Sequence, residues 1–153
     1  MTEPKADVAL LTPVPEEHLQ SGLETCTIEG FVAFGTDASM VLSELKYLVD
    51  QEHPADILFY ASHTSQEGVR YATYRARFVD FDGAVGGRAK AAWAKYRPAT
   101  TATDGDFTGF YLVRDFRLLA SPIPISSLQK RGNKGKFKSS FHPEGPIIID
   151  TPF

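Results

Sequence analysis

Cysteine occurs once in these 153 residues, at Cys26, so an internal disulfide framework and a cysteine-based zinc site are both excluded. A lone thiol fits a reducing, cytoplasmic setting. No apolar run approaches the roughly 18 residues that a membrane span needs. The opening MTEPKADVALL has no basic segment followed by a longer apolar one, so no signal peptide is expected. The four histidines are His18, His53, His63 and His142, and none has a ligand-type partner at i, i+4 on a helix, since Glu67 shares a turn with His63. HExxH, GxSxG, GxGxxG and GxxxxGK(S/T) are all absent. Neither a metal nor a cofactor is expected, and a binding role is favoured over an enzymatic one.

What is present suits one globular domain spanning residues 1–153. Hydrophobic content is 42% and charged content 23%. The net charge of −3 is unevenly spread. Residues 1–56 carry eleven acidic and two basic side chains, a net −9, whereas residues 57–153 carry fourteen basic and eight acidic, a net +6. Such asymmetry points either to a polyanionic partner for the basic half or to attraction between the halves of one fold.

The stretch ADILFYASHTSQEGVRYATYRARFVDF, residues 55–81, organises the pattern. Residues 56–62 read as a strand that is apolar on both faces and hence central. Residues 69–81 read as a strand about twice the usual length, with small and large residues alternating as in a bent strand of a small barrel. Before this hairpin, residues 7–14 read as an edge strand because Pro13 and Pro15 close it. Residues 15–23 read as one or two helical turns ended by Gly22. Residues 25–34 read as a strand interrupted at Gly30. Residues 38–51 form the firmest helix, with Val41, Leu45 and Leu48 at i, i+4, i+7, and Asp37 or Thr36 as its N-cap. After the hairpin come a short helix at 88–96, a strand at 108–119, an extended proline segment at 122–125, one turn at 126–128 and a last strand at 147–149. Strands and helices do not alternate as βαβ units. The expected fold is therefore α+β: a small, strongly curved mixed or antiparallel β-barrel with one firm helix and one or two short ones.

Two basic groups stand out. In KRGNKGKFK, residues 130–138, Lys130, Arg131, Lys134, Lys136 and Lys138 can neutralise phosphates while the glycines admit close backbone approach. The alternative is a solvated loop. Arg88, Lys90, Lys95 and Arg97 flank Trp93 and Tyr96, an interleaving that can stack a base and hold its backbone. Trp93 fits equally as a core anchor. Arg75 and Arg77 share one strand face and can clamp a carboxylate or phosphate.

The order strand, firm helix, ADILFYAS, then the long strand GVRYATYRARFVDF, followed by FTGFYLVRDFRLLASPIPISSL, resembles the PUA-like superfamily, in particular its EVE and YTH branches. The likeness spans about residues 27–128. Ala55-Asp56 stands where the family has Gly-Asp, and GxKxxExR is absent. Trp93 is the sole tryptophan, so the aromatic cage of those branches has no direct counterpart. The resemblance implies recognition of a modified base, flipped into an aromatic pocket between helix and barrel. Carried onto this chain, it marks Phe34, Gly35, Thr36, Tyr60 and Ser62; the residues themselves, apart from the resemblance, add His63 and Trp93 as ligand-binding candidates.

Three classes of function follow. The first is a nucleic-acid-binding module, with DNA or RNA as partner and no membrane association. The second is a protein-interaction module or subunit. The third is a small-molecule-binding barrel or enzyme using His63, Glu67, Arg75 and Arg77.

Overall fold

The computed structural model describes residues 5–62, 70–131, 135–137 and 145–153. Its elements, in order, are β1 (Val8–Pro15), α1 (Glu16–Glu29), β2 (Phe31–Thr36), α2 (Ser39–Asp50), β3 (Ala55–Ser62), β4 (Tyr71–Gly83), β5 (Gly109–Pro124) and β6 (Ile147–Asp150). Short 3₁₀ turns lie at Ala91–Tyr96, Ala99–Thr101 and Ile125–Ser127. The strands make one mixed sheet in the order β2-β5-β4-β3-β1-β6, with β1 parallel to β3 and the other pairs antiparallel.

The sheet is strongly curled. Phe34 on β2 and Phe59 on β3 are three strands apart, roughly 14 Å in a flat sheet. Their ring centroids are 5.3 Å apart. Tyr111 on β5 likewise hydrogen-bonds Thr12 on β1, also three strands away. Curling gathers Leu10, Phe34, Phe59, Tyr74, Tyr111 and Phe116 on one inner face. Leu19 of α1 and Leu42 and Leu45 of α2 pack onto the same face, so both helices close the trough. The outer face carries two smaller clusters, one around Leu58, Tyr60, Ile125 and Phe137, the other around Ala33, Trp93, Phe110 and Leu112. The α+β class and the curved mixed sheet agree with the sequence. The hydrogen-bonded ladder does not close into a barrel, since β2 and β6 are its ends.

The N-terminal third differs from expectation in four ways. Strands and helices do alternate here, and β1 and β3 are joined by a parallel crossover through α1, β2 and α2. β6 covers Val8 to Leu11 of β1, while among the described residues Pro13 and Pro15 pair on the β3 side alone. α1 does not stop at Gly22. A Cβ there would lie 3.1 Å from the Phe34 ring, so glycine allows helix and sheet to approach closely. Residues 25–29 are helical despite their β-branched side chains, and Thr25 and Thr27 donate their hydroxyls to the carbonyls of Ser21 and Leu23. Gly30 is the left-handed residue that ends α1, with φ of 84°, rather than a strand bulge.

α2 begins without a side-chain N-cap. Thr36 Oγ1 accepts the Ala38 N–H at 3.0 Å, while the Asp37 carboxylate turns away to accept the Thr108 N–H at 3.1 Å. Lys46 ties α2 to β4 through Asp80 at 3.0 Å and the Phe81 carbonyl at 3.0 Å. The pairing with Asp80 raises the Lys46 pKa. The proline segment expected to lack a ladder continues β5 instead, with Pro124 opposite Tyr71.

Candidate functional site

The curl brings the end of β1 beside the end of β2. Between them lies a solvent-open cleft of about 360 Å³, lined by Thr12, Pro13, Gly35, Thr36, Asp37, Ala38, Phe107, Gly145 and Pro146. That volume is at the lower end of small-ligand pockets, about 300–1,000 Å³. Its rim is held by a hydroxyl network: Thr108 donates to the Thr36 carbonyl at 3.2 Å and meets the Ser39 hydroxyl at 2.7 Å. Gly35 forms part of the floor, and any Cβ there would collide with the Phe107 ring. Only glycine lets an aromatic ring lie directly on the strand backbone at this point. Beneath the cleft, burial pushes the Tyr111 hydroxyl well above its ordinary pKa, partly offset by the bond to Thr12. Thr12 and Tyr111 are therefore a neutral, fixed pair.

A second cleft, of about 410 Å³, lies beyond Phe107, which lines both. Arg88, Arg97, Thr101 and Phe110 are among its walls. Arg97 donates to the Ala33 carbonyl at 2.8 Å, covering the outer side of edge strand β2, and sits 5.0 Å from the Phe110 ring centroid. Burial lowers its pKa, opposed by the nearby Asp104 carboxylate at 3.8 Å. Asp104 also faces His18 Nε2 at 3.4 Å, and His18 Nδ1 bonds the Thr100 hydroxyl at 2.7 Å. The loop carrying Phe107 is thus pinned to α1. Arg88 is the open cation of this cleft, with 58% of its side chain exposed and Asp106 3.7 Å away.

Of the residues marked in the sequence, Gly35 and Thr36 line the first cleft and Arg88 lines the second. Phe34 lies in the inner core against Phe59, Tyr111 and Phe116. Tyr60 is buried on the outer face, where burial pushes its pKa up to about 12. Ser62 is half-buried at the end of β3, and His63 falls outside the described residues. Trp93 is buried with Ala33, Phe110 and Leu112, with Lys90 Nζ 4.4 Å from its ring centroid. Lys90 also pairs with Asp82 at 2.8 Å. Arg131 bridges to Glu44 of α2 at 2.9 Å, Lys130 Nζ lies 5.6 Å from the Phe137 ring centroid, and Lys136 is exposed. Lys134 and Lys138, like Glu67, fall outside the described residues. Arg75 and Arg77, candidates for clamping a ligand, pair within the fold with the Asp56 carboxylate at 3.0 and 3.1 Å.

Thr12, Asp37 and Phe107 are among the lining residues that sequence reasoning did not mark as site residues. Phe107 follows a polar, turn-like stretch, and nothing local shows that its ring returns to Gly35. Among the described residues no cluster of three metal-ligating side chains occurs, and no helix is long and apolar enough to cross a membrane.

No protein-family model matches the chain, and no curated protein matches it. Among solved structures, the chain is similar to the YTH domain of the Zygosaccharomyces rouxii MRB1 protein in complex with N6-methyladenosine RNA. Identity is 9%, the TM-score is 0.46, and the match covers 96% of this chain and 82% of that one. It is also similar to a Pseudomonas putida protein solved by a structural genomics consortium, at 14% identity and a TM-score of 0.48, covering 94% and 92% of the two chains.

Proposed function

We propose that the chain is a nucleic-acid-binding module that takes one unstacked base of a single strand into the cleft between the ends of β1 and β2. One observation carries this reading: Phe107 separates a cleft of small-ligand size from a second cleft walled by Arg88 and Arg97. Unpaired bases are held by stacking on aromatic rings and by hydrogen bonds to their edges, and the adjoining phosphates by cations. Phe107 supplies the ring. The Asp37 carboxylate and the backbone at Gly35 and Thr36 supply polar groups, and Arg88 is placed for the backbone. Arg131, paired with Glu44 on α2 at 2.9 Å, adds a cation on the helix that follows Ala38. A modified base, as the sequence resemblance implies, is a refinement of this reading.

The test is fluorescence anisotropy with single-stranded and duplex oligonucleotides of DNA and RNA, with and without methylated bases, at two salt concentrations. Single strands should bind more tightly than duplex, and binding should weaken as salt rises. Phe107→Ala should weaken single-strand binding at least tenfold, since stacking one base is worth about 1–3 kcal/mol. Equal affinity of Phe107→Ala and the parent chain would refute the base site.

A further inference from the structure

β4 and β5 place four arginines on the outer face of the sheet. Their register sets Arg75 opposite Arg117 and Arg77 opposite Arg114. Like charges directly opposite one another weaken a strand pair, and here two such pairs are adjacent. Asp56 offsets the inner pair through its contacts with Arg75 Nη2 and Arg77 Nε. Asp115 meets Arg114 Nη1 at 3.0 Å. Arg117 is steadied by a neutral oxygen instead, donating to the Asp115 carbonyl at 2.8 Å.

A bulge produces this grouping. Residues 114 and 117 are three apart, so in a regular strand they would face opposite sides of the sheet. Between the pairs Arg77↔Arg114 and Arg75↔Arg117, β5 holds one residue more than β4, and Asp115 has a φ of 54°. The extra residue turns both arginines to the same face. A positive φ at a non-glycine residue is uncommon, and bulges serve to re-aim side chains. Exposure then divides the four: the Arg75 and Arg77 side chains are 22% and 17% exposed, that of Arg114 is 35% exposed, and Arg117 lies open. Phe153 stacks on Arg75 at 3.6 Å from ring centroid to guanidinium. The inner pair is a fixed charged floor, and the outer pair faces solvent.

We propose that Arg114 and Arg117, backed by Arg75 and Arg77, form a phosphate-binding site on the outer face of β4 and β5. It is separate from the base cleft and does not depend on it. Guanidinium groups bind phosphate oxygens through paired N–H donors, with better geometry than lysine. The ligand is a phosphodiester or a phosphate ester. Its surroundings favour a nucleic-acid strand: Arg114 pairs in register with Phe31, whose ring centroid lies 5.4 Å from that of Tyr96, and Lys95 Nζ lies 5.1 Å from the Tyr96 ring. Cations and aromatics thus continue from the bulge towards the turn that carries Trp93.

Isothermal titration of the full chain with inorganic tripolyphosphate at low salt, and anisotropy with a single-stranded oligonucleotide across salt concentrations, test the site. The double variant Arg114→Gln/Arg117→Gln should lose at least tenfold in tripolyphosphate affinity. Arg114→Lys/Arg117→Lys, which keeps the charge, should fall between it and the parent. Circular dichroism checks that both variants fold. If the oligonucleotide salt slope also falls by about one to two in the Gln variant, the phosphate comes from a nucleic-acid backbone. If the slope is unchanged while tripolyphosphate binding is lost, the site stands and takes a free phosphate ester. Tripolyphosphate that fails to bind the parent chain, or binds the Gln variant equally well, overturns the proposal. Neither result bears on the base cleft, whose test is the Phe107 variant.

Discussion

Asp56 is buried in β3 with its side chain 6% exposed, and two arginines of the next strand hold it. Removing one partner of a buried pair leaves charge uncompensated in low dielectric, at a cost of about 3–5 kcal/mol. Both arginines keep some exposure, which places this site at the lower end. Asp56→Asn should therefore destabilise the chain by about 3 kcal/mol in denaturant unfolding, and a loss under about 1 kcal/mol would contradict the pairing. Sequence reading caught the geometry of Arg75 and Arg77, two residues apart on one strand face. It could not name their carboxylate, because a cross-strand partner depends on register. Arg114 and Arg117 escaped for a related reason: only the bulge at Asp115 puts them on one face.

At the scale of elements, β3, β4, β5 and α2 were legible because their signals are local. Alternation, a full apolar run and an i, i+4, i+7 stripe each mark an element within a few residues. α1 was not. Its core-facing stripe of buried Leu19 and half-buried Leu23 and Cys26 straddles Gly22, and its last turn is rich in strand formers. Tertiary packing decided the outcome, since Gly22 allows a close approach to Phe34 that a side chain would oppose. Gly30 then provides the left-handed stop. Gly30→Ala meets no steric neighbour but does meet the wrong φ, so it should cost about 1 kcal/mol by thermal or chemical denaturation. Unchanged or raised stability would mean that α1 ends by another device.

For the whole molecule, the acidic N-terminal and basic C-terminal parts do attract each other, as the pairs Asp56–Arg75, Asp56–Arg77 and Glu44–Arg131 show. Several cations that looked available in the sequence are thus engaged within the fold. Among the described residues, exposed cations include Arg88 beside the second cleft, Arg117 on the bulge and Lys136 on the C-terminal turn. The curl of the sheet is the property least visible in the sequence, and it creates the base cleft by bringing together β1 and β2, which lie four places apart in the sheet order. Local patterns mark Gly35 and Thr36 as the end of a strand. They do not show that Thr12 and Phe107 arrive beside them.

The most direct measurement is a two-dimensional amide NMR titration of the full chain with a short single-stranded oligonucleotide. The largest shifts are expected at Gly35, Thr36, Asp37, Ala38 and Phe107, saturating together with the binding seen by anisotropy. Shifts confined to charged surface residues, with these five amides unmoved, would contradict a base held between the ends of β1 and β2.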